Sequence, residues 1–105
     1  MLRVNSFQEE NTYHIQLEGE VNASTSLYLD QALLKASYAN KSKILIDCQH
    51  LTHISSNGLG VLMSYLLLLK DRRCQVVLTH VKASILPSLQ ELNMDAYMTI
   101  VPAAN

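Results

Sequence analysis

Apolar and polar residues alternate with two different periods along this chain, and these periods predict strands and helices in turn. Residues 12–21 alternate strictly, with apolar side chains such as Tyr13 and Ile15 on one face and polar side chains on the other. Residues 44–48 form a run with few polar positions, as expected for a central strand that is covered on both faces. Strands that alternate with helices predict an α/β fold in which helices pack on a mixed, mainly parallel sheet. The predicted strands span residues 3–7, 12–21, 43–48, 75–81 and 98–101, and the predicted helices run from a cap within 22–25 to Asn40, from Ser55 or Ser56 to Arg73, and from Ser84 to Leu92.

Length and charge limit what this chain can be. At 105 residues, of which 49% are hydrophobic, it is long enough for one core and too short for two domains, so residues 1–105 are predicted to form a single domain. Eight Lys and Arg residues against nine Asp and Glu residues give a net charge of -1 and no basic field that would attract DNA or RNA. Nucleic acid is therefore not an expected partner.

The apolar segments are too short to cross a bilayer. The longest, residues 61–69, is interrupted by Ser64 and is far shorter than the about 20 residues that a transmembrane helix needs. Residues 1–10 carry acidic residues instead of the apolar core of a secretion signal. These features predict a cytoplasmic protein that does not insert into membranes.

Two serines and two glycines stand where the apolar strand at residues 43–48 gives way, through a short loop, to the long second helix. Ser55 and Ser56 would place their hydroxyls beside the unpaired backbone N–H groups of the first helical turn. Gly58 and Gly60 leave little side-chain bulk around these hydroxyls. Such a junction can carry a phosphate, but the residues alone favour the simpler explanation, a serine that caps the helix and contributes about 1 kcal/mol.

Helical geometry divides the second helix into an apolar stripe and a second apolar side. Val61, Tyr65 and Leu68 fall on this second side at positions i, i+4 and i+7, and we call them the helix strip. If the helix strip is exposed, it is a partner site; if the fold covers it, it is part of the core. The sequence leaves both possibilities open. The apolar stripe predicted to face the core consists of Leu59, Leu62, Met63, Leu66 and Leu69.

Candidate catalytic and metal-binding groups do not form a recognisable pattern. His50 and His53 are close in sequence to the serines, but the order Ser-Asn-Gly-Leu-Gly is not the Gly-x-Ser-x-Gly turn of hydrolases. The same two histidines have no evident third or fourth metal ligand, and no Walker-type phosphate loop is present. Cys48 and Cys74 are isolated and are predicted to be free, buried thiols. The sequence therefore predicts no enzyme activity, no metal and no cofactor.

Two segments resemble the STAS domain, particularly the stand-alone anti-sigma factor antagonists of bacteria. The first is Gly-Glu-Val-Asn at residues 19–22, and the second is Ile-Leu-Ile-Asp at 44–47 followed by Ile-Ser-Ser-Asn-Gly-Leu-Gly-Val-Leu at 54–62. With the order of elements, the resemblance covers nearly the whole chain. It implies a STAS-like fold, in which a single layer of mixed, mainly parallel sheet carries helices packed on it.

The resemblance also implies a phosphorylation switch at Ser56. In such antagonists the serine two places before the Gly-Leu pair is phosphorylated by a partner that is both an anti-sigma factor and a serine kinase. The unphosphorylated antagonist binds this kinase, which then releases its sigma factor, and a separate serine phosphatase restores the antagonist. The isolated protein is expected to be a monomer or a weak dimer. The expected partner-binding residues are Asn22, Ser55, Asn57, Gly58, Val61, Tyr65 and Leu68.

Three positions differ from the common pattern of these antagonists. Many have an aspartate where this chain has Ser55, an aspartate where it has Asn22, and a serine or threonine where it has Asn57. Ser55 consequently stays a rival acceptor for the phosphate. The alternative function is a STAS interaction subunit that does not switch and belongs to a larger signalling or transport assembly. In that case the helix strip is a permanent interface, and the isolated chain should self-associate or be insoluble.

Overall fold

Five strands form one sheet in the computed structural model, which describes residues 1–104. The first two strands, β1 and β2, form an antiparallel hairpin, whereas β2, β3, β4 and β5 are parallel to one another. The strands lie side by side in chain order, so β3 is central. The predicted mixed, mainly parallel sheet is confirmed. Its strands are β1 (Leu2–Glu9), β2 (Thr12–Val21), β3 (Lys43–Ile54), β4 (Gln75–Val81) and β5 (Thr99–Pro102).

Three helices connect the parallel strands: α1 (Ser26–Tyr38), α2 (Ser56–Asp71) and α3 (Leu86–Glu91). A 3₁₀ turn at Met94–Ala96 follows α3. Buried apolar side chains from the strands and from all three helices form one cluster within residues 1–104, and α1 packs beside α2. The helices therefore pack on the sheet as predicted, but they cover one face of it. The expectation that residues 44–48 are covered on both faces is wrong, because Leu45 and Asp47 on the other face of β3 are only half-buried. Members of the cluster include Ile15, Leu17, Leu29, Leu33, Ile44, Ile46, Leu62, Leu66 and Leu89.

The strict alternation of β2 determines which face of the sheet is wet. Tyr13, Ile15 and Leu17 are buried under the helices, whereas Gln16 and Glu18 are exposed on the opposite face. This agrees with the prediction for residues 12–21. Side chains of a strand point alternately to its two faces. A shift of one residue in the pairing register of β2 would therefore expose the buried side chains and bury the exposed ones.

β3 is longer than predicted, and the short loop expected after residue 48 is absent. The strand continues to Ile54 because its second half pairs in parallel with Glu18–Val21 of β2 across two register shifts. His50 and His53 are exposed on this extension. Because both residues are polar, the sequence pattern did not predict a strand there. Consequently α2 begins directly after the strand.

The ends of the helices agree with the sequence only in part. α1 ends at Tyr38, and Asn40 takes a left-handed conformation with φ of 55°, which asparagine adopts more readily than most residues. The predicted stop at Asn40 is therefore confirmed. The predicted cap at Ser84 is wrong, because α3 starts later, with Ile85 at the cap position and Pro87 in the first turn, and no side chain caps it.

Candidate functional site

The start of α2 is anchored to the ends of β2 and β3. Ser55 is extended, with φ of -86° and ψ of 175°, and its N–H donates to the carbonyl of Val21 at 2.8 Å. The carbonyl of Ser55 accepts the N–H of Leu59 at 3.0 Å, which is the first hydrogen bond of the helix. Ser56 and Asn57 therefore occupy the first turn, where backbone N–H groups have no partner within the helix.

The two serines at the start of α2 differ in how accessible they are to a partner protein. The Oγ of Ser55 is buried and has no hydrogen-bond partner among residues 1–104, and it makes no capping bond to the first turn of α2. Ser56 is exposed. Ser55 thus occupies the capping position without capping through its hydroxyl, and the hydroxyl open to a partner at this helix start belongs to Ser56.

The two glycines of α2 have different surroundings. A Cβ on Gly58 would lie 2.5 Å from Cγ1 of Val21 and 2.7 Å from Cγ1 of Ile54, so this buried glycine lets the helix approach the sheet. A Cβ on Gly60 would have no atom within 4 Å. Gly60 and Asn57 are exposed, and Gly60 lies one turn after Ser56 on the same side of the helix. From the sequence, Gly58 and Gly60 were expected to play the same role. The structure shows that only Gly58 is needed for packing against the sheet.

Asn22 organises the loop between β2 and α1. Its Oδ1 accepts the backbone N–H groups of Ser24 at 2.9 Å and of Thr25 at 3.1 Å. The hydroxyl of Thr25 donates to the carbonyl of Glu20 at 2.8 Å and accepts the N–H of Asn22 at 2.9 Å. Since Val21 also accepts the N–H of Ser55, this loop and the start of α2 lie side by side.

We expect Asn22→Ala to lower the free energy of unfolding by about 1 kcal/mol. The N–H of Ser24 loses its acceptor, and the N–H of Thr25 keeps only the backbone carbonyl of residue 22, at 3.2 Å. Asn22→Asp keeps an oxygen at the same place and should stay within about 0.5 kcal/mol of the natural protein. Urea unfolding measures both variants. Equal losses in the two variants would show that the loop depends on the amide group of Asn22 and not on its oxygen.

The helix strip is neither wholly exposed nor wholly covered. Val61 and Tyr65 are half-buried and pack against the edge of the core, whereas Leu68 is 40% exposed. Burial, with the neighbouring Asp30 carboxylate of α1, raises the pKa of Tyr65. The strip therefore starts in the contact between α1 and α2 and reaches the surface at Leu68.

Exposed apolar side chains of α1 extend this surface. Tyr38 is 76% exposed and Leu34 is also exposed, and both follow Asp30 at one-turn intervals, on the side that faces Tyr65. We call Leu34, Tyr38, Tyr65 and Leu68 the α1–α2 surface. Sequence reasoning missed the contribution of α1. The position of α2 beside α1 was the missing information.

The remaining candidate groups lie apart from this surface. His80 Nδ1 is 3.0 Å from Oδ1 of Asp47 on the solvent-facing side of the sheet, and His50 and His53 are exposed on β3.

Burial raises the pKa of the Cys48 thiol to about 12, and burial also raises the pKa of Cys74. Both thiols are protonated at neutral pH and are weak nucleophiles. Within residues 1–104, no three His, Cys, Asp or Glu side chains are grouped for a metal ion, and no helix has the length and apolar character to span a bilayer.

Three solved structures share this architecture over nearly the whole chain. An anti-sigma factor antagonist from Mycobacterium paratuberculosis is 14% identical, with a TM-score of 0.87, and the match covers 98% of this chain and 87% of that one. The anti-sigma factor antagonist SpoIIAA in its unphosphorylated form is 14% identical, with a TM-score of 0.72 and coverage of 100% and 90%. The Bacillus cell fate determinant SpoIIAA in its phosphorylated form is 15% identical, with a TM-score of 0.72 and coverage of 95% and 90%. At these identities the likeness establishes the fold.

Comparison at the level of sequence gives the family. No curated protein sequence matches this chain. A family described as "Mlab, STAS domain" matches residues 5–102, which include both segments that resemble the STAS domain and all five strands from the middle of β1 onward. The chain therefore belongs to the Mlab STAS-domain family.

Proposed function

We propose that this protein is an anti-sigma factor antagonist whose binding to an anti-sigma factor serine kinase is switched by phosphorylation of Ser56. The observation that carries the proposal is the exposed Ser56 in the first turn of α2, beside a Ser55 hydroxyl that is buried. The unphosphorylated protein binds the kinase, which then releases its sigma factor. A serine phosphatase reverses the modification. This protein is the substrate in both reactions, and the ATP belongs to the kinase.

The first turn of α2 suits a phosphate. It contains no acidic residue, and its backbone N–H groups point out of the helix start. A phosphate on Ser56 adds about -1.5 to -2 charges at neutral pH, and the helix N-terminus stabilises negative charge. Phosphorylation should therefore leave the fold intact and change only the surface that the partner meets.

The neighbouring surface suits a partner that packs closely over Ser56. Gly60 adds no side-chain bulk one turn further along α2, and the β2–α1 loop with Asn22 lies beside the helix start. The α1–α2 surface offers apolar and aromatic groups, which are common at the centre of interfaces. It lies on another side of α2, since at 3.6 residues per turn Leu68 is about 120° around the helix from Ser56, so a partner that contacts both must wrap around the exposed side of the helix. A phosphate on Ser56 is a hydrated dianion. A partner packed over it would have to remove its water, so phosphorylation disfavours the bound state.

Capture of partners from native cells tests the proposal. Ser56→Ala as bait should retain a protein that binds ATP and phosphorylates the natural protein, because the variant cannot be released by modification. Ser56→Asp is the matched control and should retain less of it, since one carboxylate mimics only part of the charge of a phosphate. Recovery of the same partners in equal amounts by both baits, without any kinase activity, would contradict the proposal.

Leu68→Arg should weaken kinase binding by at least about tenfold, because a charged group replaces an apolar contact of the α1–α2 surface. The free energy of unfolding should change by no more than about 0.5 kcal/mol, since the site is a partly exposed surface position. Leu92→Arg is the matched control: Leu92 is 47% exposed after α3, outside the proposed contact. Titration calorimetry with purified kinase measures both affinities. Equal affinity of the two variants would remove Leu68 from the interface.

A second candidate function is a STAS interaction subunit of a larger assembly that does not switch. The exposed aromatic and aliphatic groups of the α1–α2 surface favour it, because a permanent interface is more apolar than a transient one. The match to a family named for Mlab and not for an antagonist also leaves it open. In that case Ser56→Asp and Ser56→Ala should bind the same partner equally, and the isolated chain should self-associate through the α1–α2 surface.

A further inference from the structure

The two edges of the sheet differ in how well they are protected against further pairing. β5 is four residues long and ends in Pro102, which has no backbone N–H. β1 is eight residues long and contains no proline, and within residues 1–104 it pairs only with β2. A row of backbone N–H and C=O groups on β1 therefore faces away from the sheet. Such an edge pairs readily with another strand.

We propose that β1 is a self-association site, in which β1 of a second copy pairs antiparallel to it about a twofold axis at Ser6. This pairing places Arg3 opposite Glu9 of the partner subunit, because the two residues are equally distant from Ser6. The twofold axis repeats the contact, so two ion pairs form. Both charged groups are available: Arg3 is exposed, and the side chain of Glu9 is 70% exposed although its Oε1 lies 3.4 Å from Nε2 of His14.

Charge selects this register among the alternatives. A shift by two residues in one direction places Arg3 opposite Phe7 of the partner subunit, and a shift in the other direction places it opposite the partner's Asn11, beyond the strand. Either shift removes both ion pairs. Opposite charges across paired strands stabilise a sheet, whereas like charges destabilise it. Complementarity between the two ends of β1 therefore favours a second copy of this chain as the occupant.

The groove beside β1 accommodates the partner strand. A cavity of about 230 Å³ lies between β1 and α1, lined by Val4, Tyr28 and Lys35 among others. In the proposed register the partner's Gln8 is opposite Val4 on the side that faces the helices. Its amide then lies at the mouth of this cavity, where Lys35 and Gln31 offer polar groups. The helices of both copies remain on one face of a continuous sheet.

Charge reversal with rescue tests the site. Sedimentation equilibrium of the full chain from low to high micromolar concentration should show a reversible dimer. Arg3→Glu should weaken the dimer by about tenfold, because each of its two ion pairs becomes a repulsion. Adding Glu9→Arg should restore the affinity. The rescue matters because Arg3 also lies opposite Glu18 of its own chain, so the single variant weakens the hairpin as well.

A second pair of variants separates this edge from other surfaces. Ser6→Lys places two like charges at the twofold axis and should weaken the dimer, whereas Ser84→Lys, in an exposed loop before α3, should not. Neither variant should change kinase binding, so this proposal fails or holds independently of the proposed function. A chain that is monomeric throughout, a dimer insensitive to Ser6→Lys, or a double charge reversal without rescue would overturn it. A dimer broken by Leu68→Arg instead would assign association to the α1–α2 surface.

Discussion

Gly58→Val should lower the free energy of unfolding by about 3 kcal/mol, a value typical of severe overpacking in a core. The new Cβ would lie 2.5 Å from Cγ1 of Val21 and 2.7 Å from Cγ1 of Ile54. Both neighbours are buried and branched at Cβ, so neither can rotate away at low cost. The helix start must then move away from the sheet, which also weakens the hydrogen bond between Ser55 and Val21. Urea unfolding followed by circular dichroism measures the loss.

Gly60→Val provides a matched control in the same turn of the same helix. A Cβ at Gly60 has no atom within 4 Å, and valine is not a poorer helix former than glycine. Its free energy of unfolding should therefore be unchanged or higher by up to about 0.5 kcal/mol. A loss at Gly60 equal to that at Gly58 would show that the α2 start tolerates no side chain for a reason other than packing against Val21 and Ile54.

Phosphorylation of Ser56 should lower the affinity for the kinase by at least about a hundredfold, because the partner would have to bury a charge without a counter-charge. Ser56→Ala should retain the affinity of the unmodified protein. Ser56→Asp should show part of the loss, since it carries one negative charge and has a shorter reach. Titration calorimetry of the purified kinase with the four forms measures the difference.

Ser55→Ala is the control for this switch. It removes a buried hydroxyl that has no hydrogen-bond partner among residues 1–104, so stability should be unchanged or slightly higher. Phosphate uptake from the kinase should persist in Ser55→Ala and disappear in Ser56→Ala. Loss of uptake in Ser55→Ala alone would place the acceptor one residue earlier, and equal affinity of the phosphorylated and unmodified forms would remove the switch.

The periodic features of the sequence predicted the architecture because burial there depends on one strand or helix at a time. The period of two in β2 identified Tyr13 and Ile15 as buried, and four of the five positions in the apolar stripe of α2 are buried, with Met63 half-buried. Asn40 marked the end of α1 through its own backbone preference. Each of these features depends on a short stretch of sequence, and contacts with other parts of the fold do not change it.

Features that depend on neighbouring elements were not readable from the sequence. The second half of β3 is a strand because it pairs with β2 across two register shifts. No sequence pattern around His50 and His53 predicts these register shifts. Ser55 and Ser56 are identical in sequence terms, and only the bond from Ser55 to Val21 turns one hydroxyl inward. Leu34 is apolar but exposed, since the place of α2 beside α1 decides what α1 covers.

Phosphorylation of Ser56 is tested most directly by the mass of the intact protein isolated from its native cells, with fragmentation to locate any added phosphate. We expect a fraction of the protein to carry one phosphate on Ser56, and this fraction should change between growth and stress. Phosphate on Ser55 instead, or a chain that is unmodified under every condition, would contradict the switch and favour an interaction subunit that binds its partner permanently.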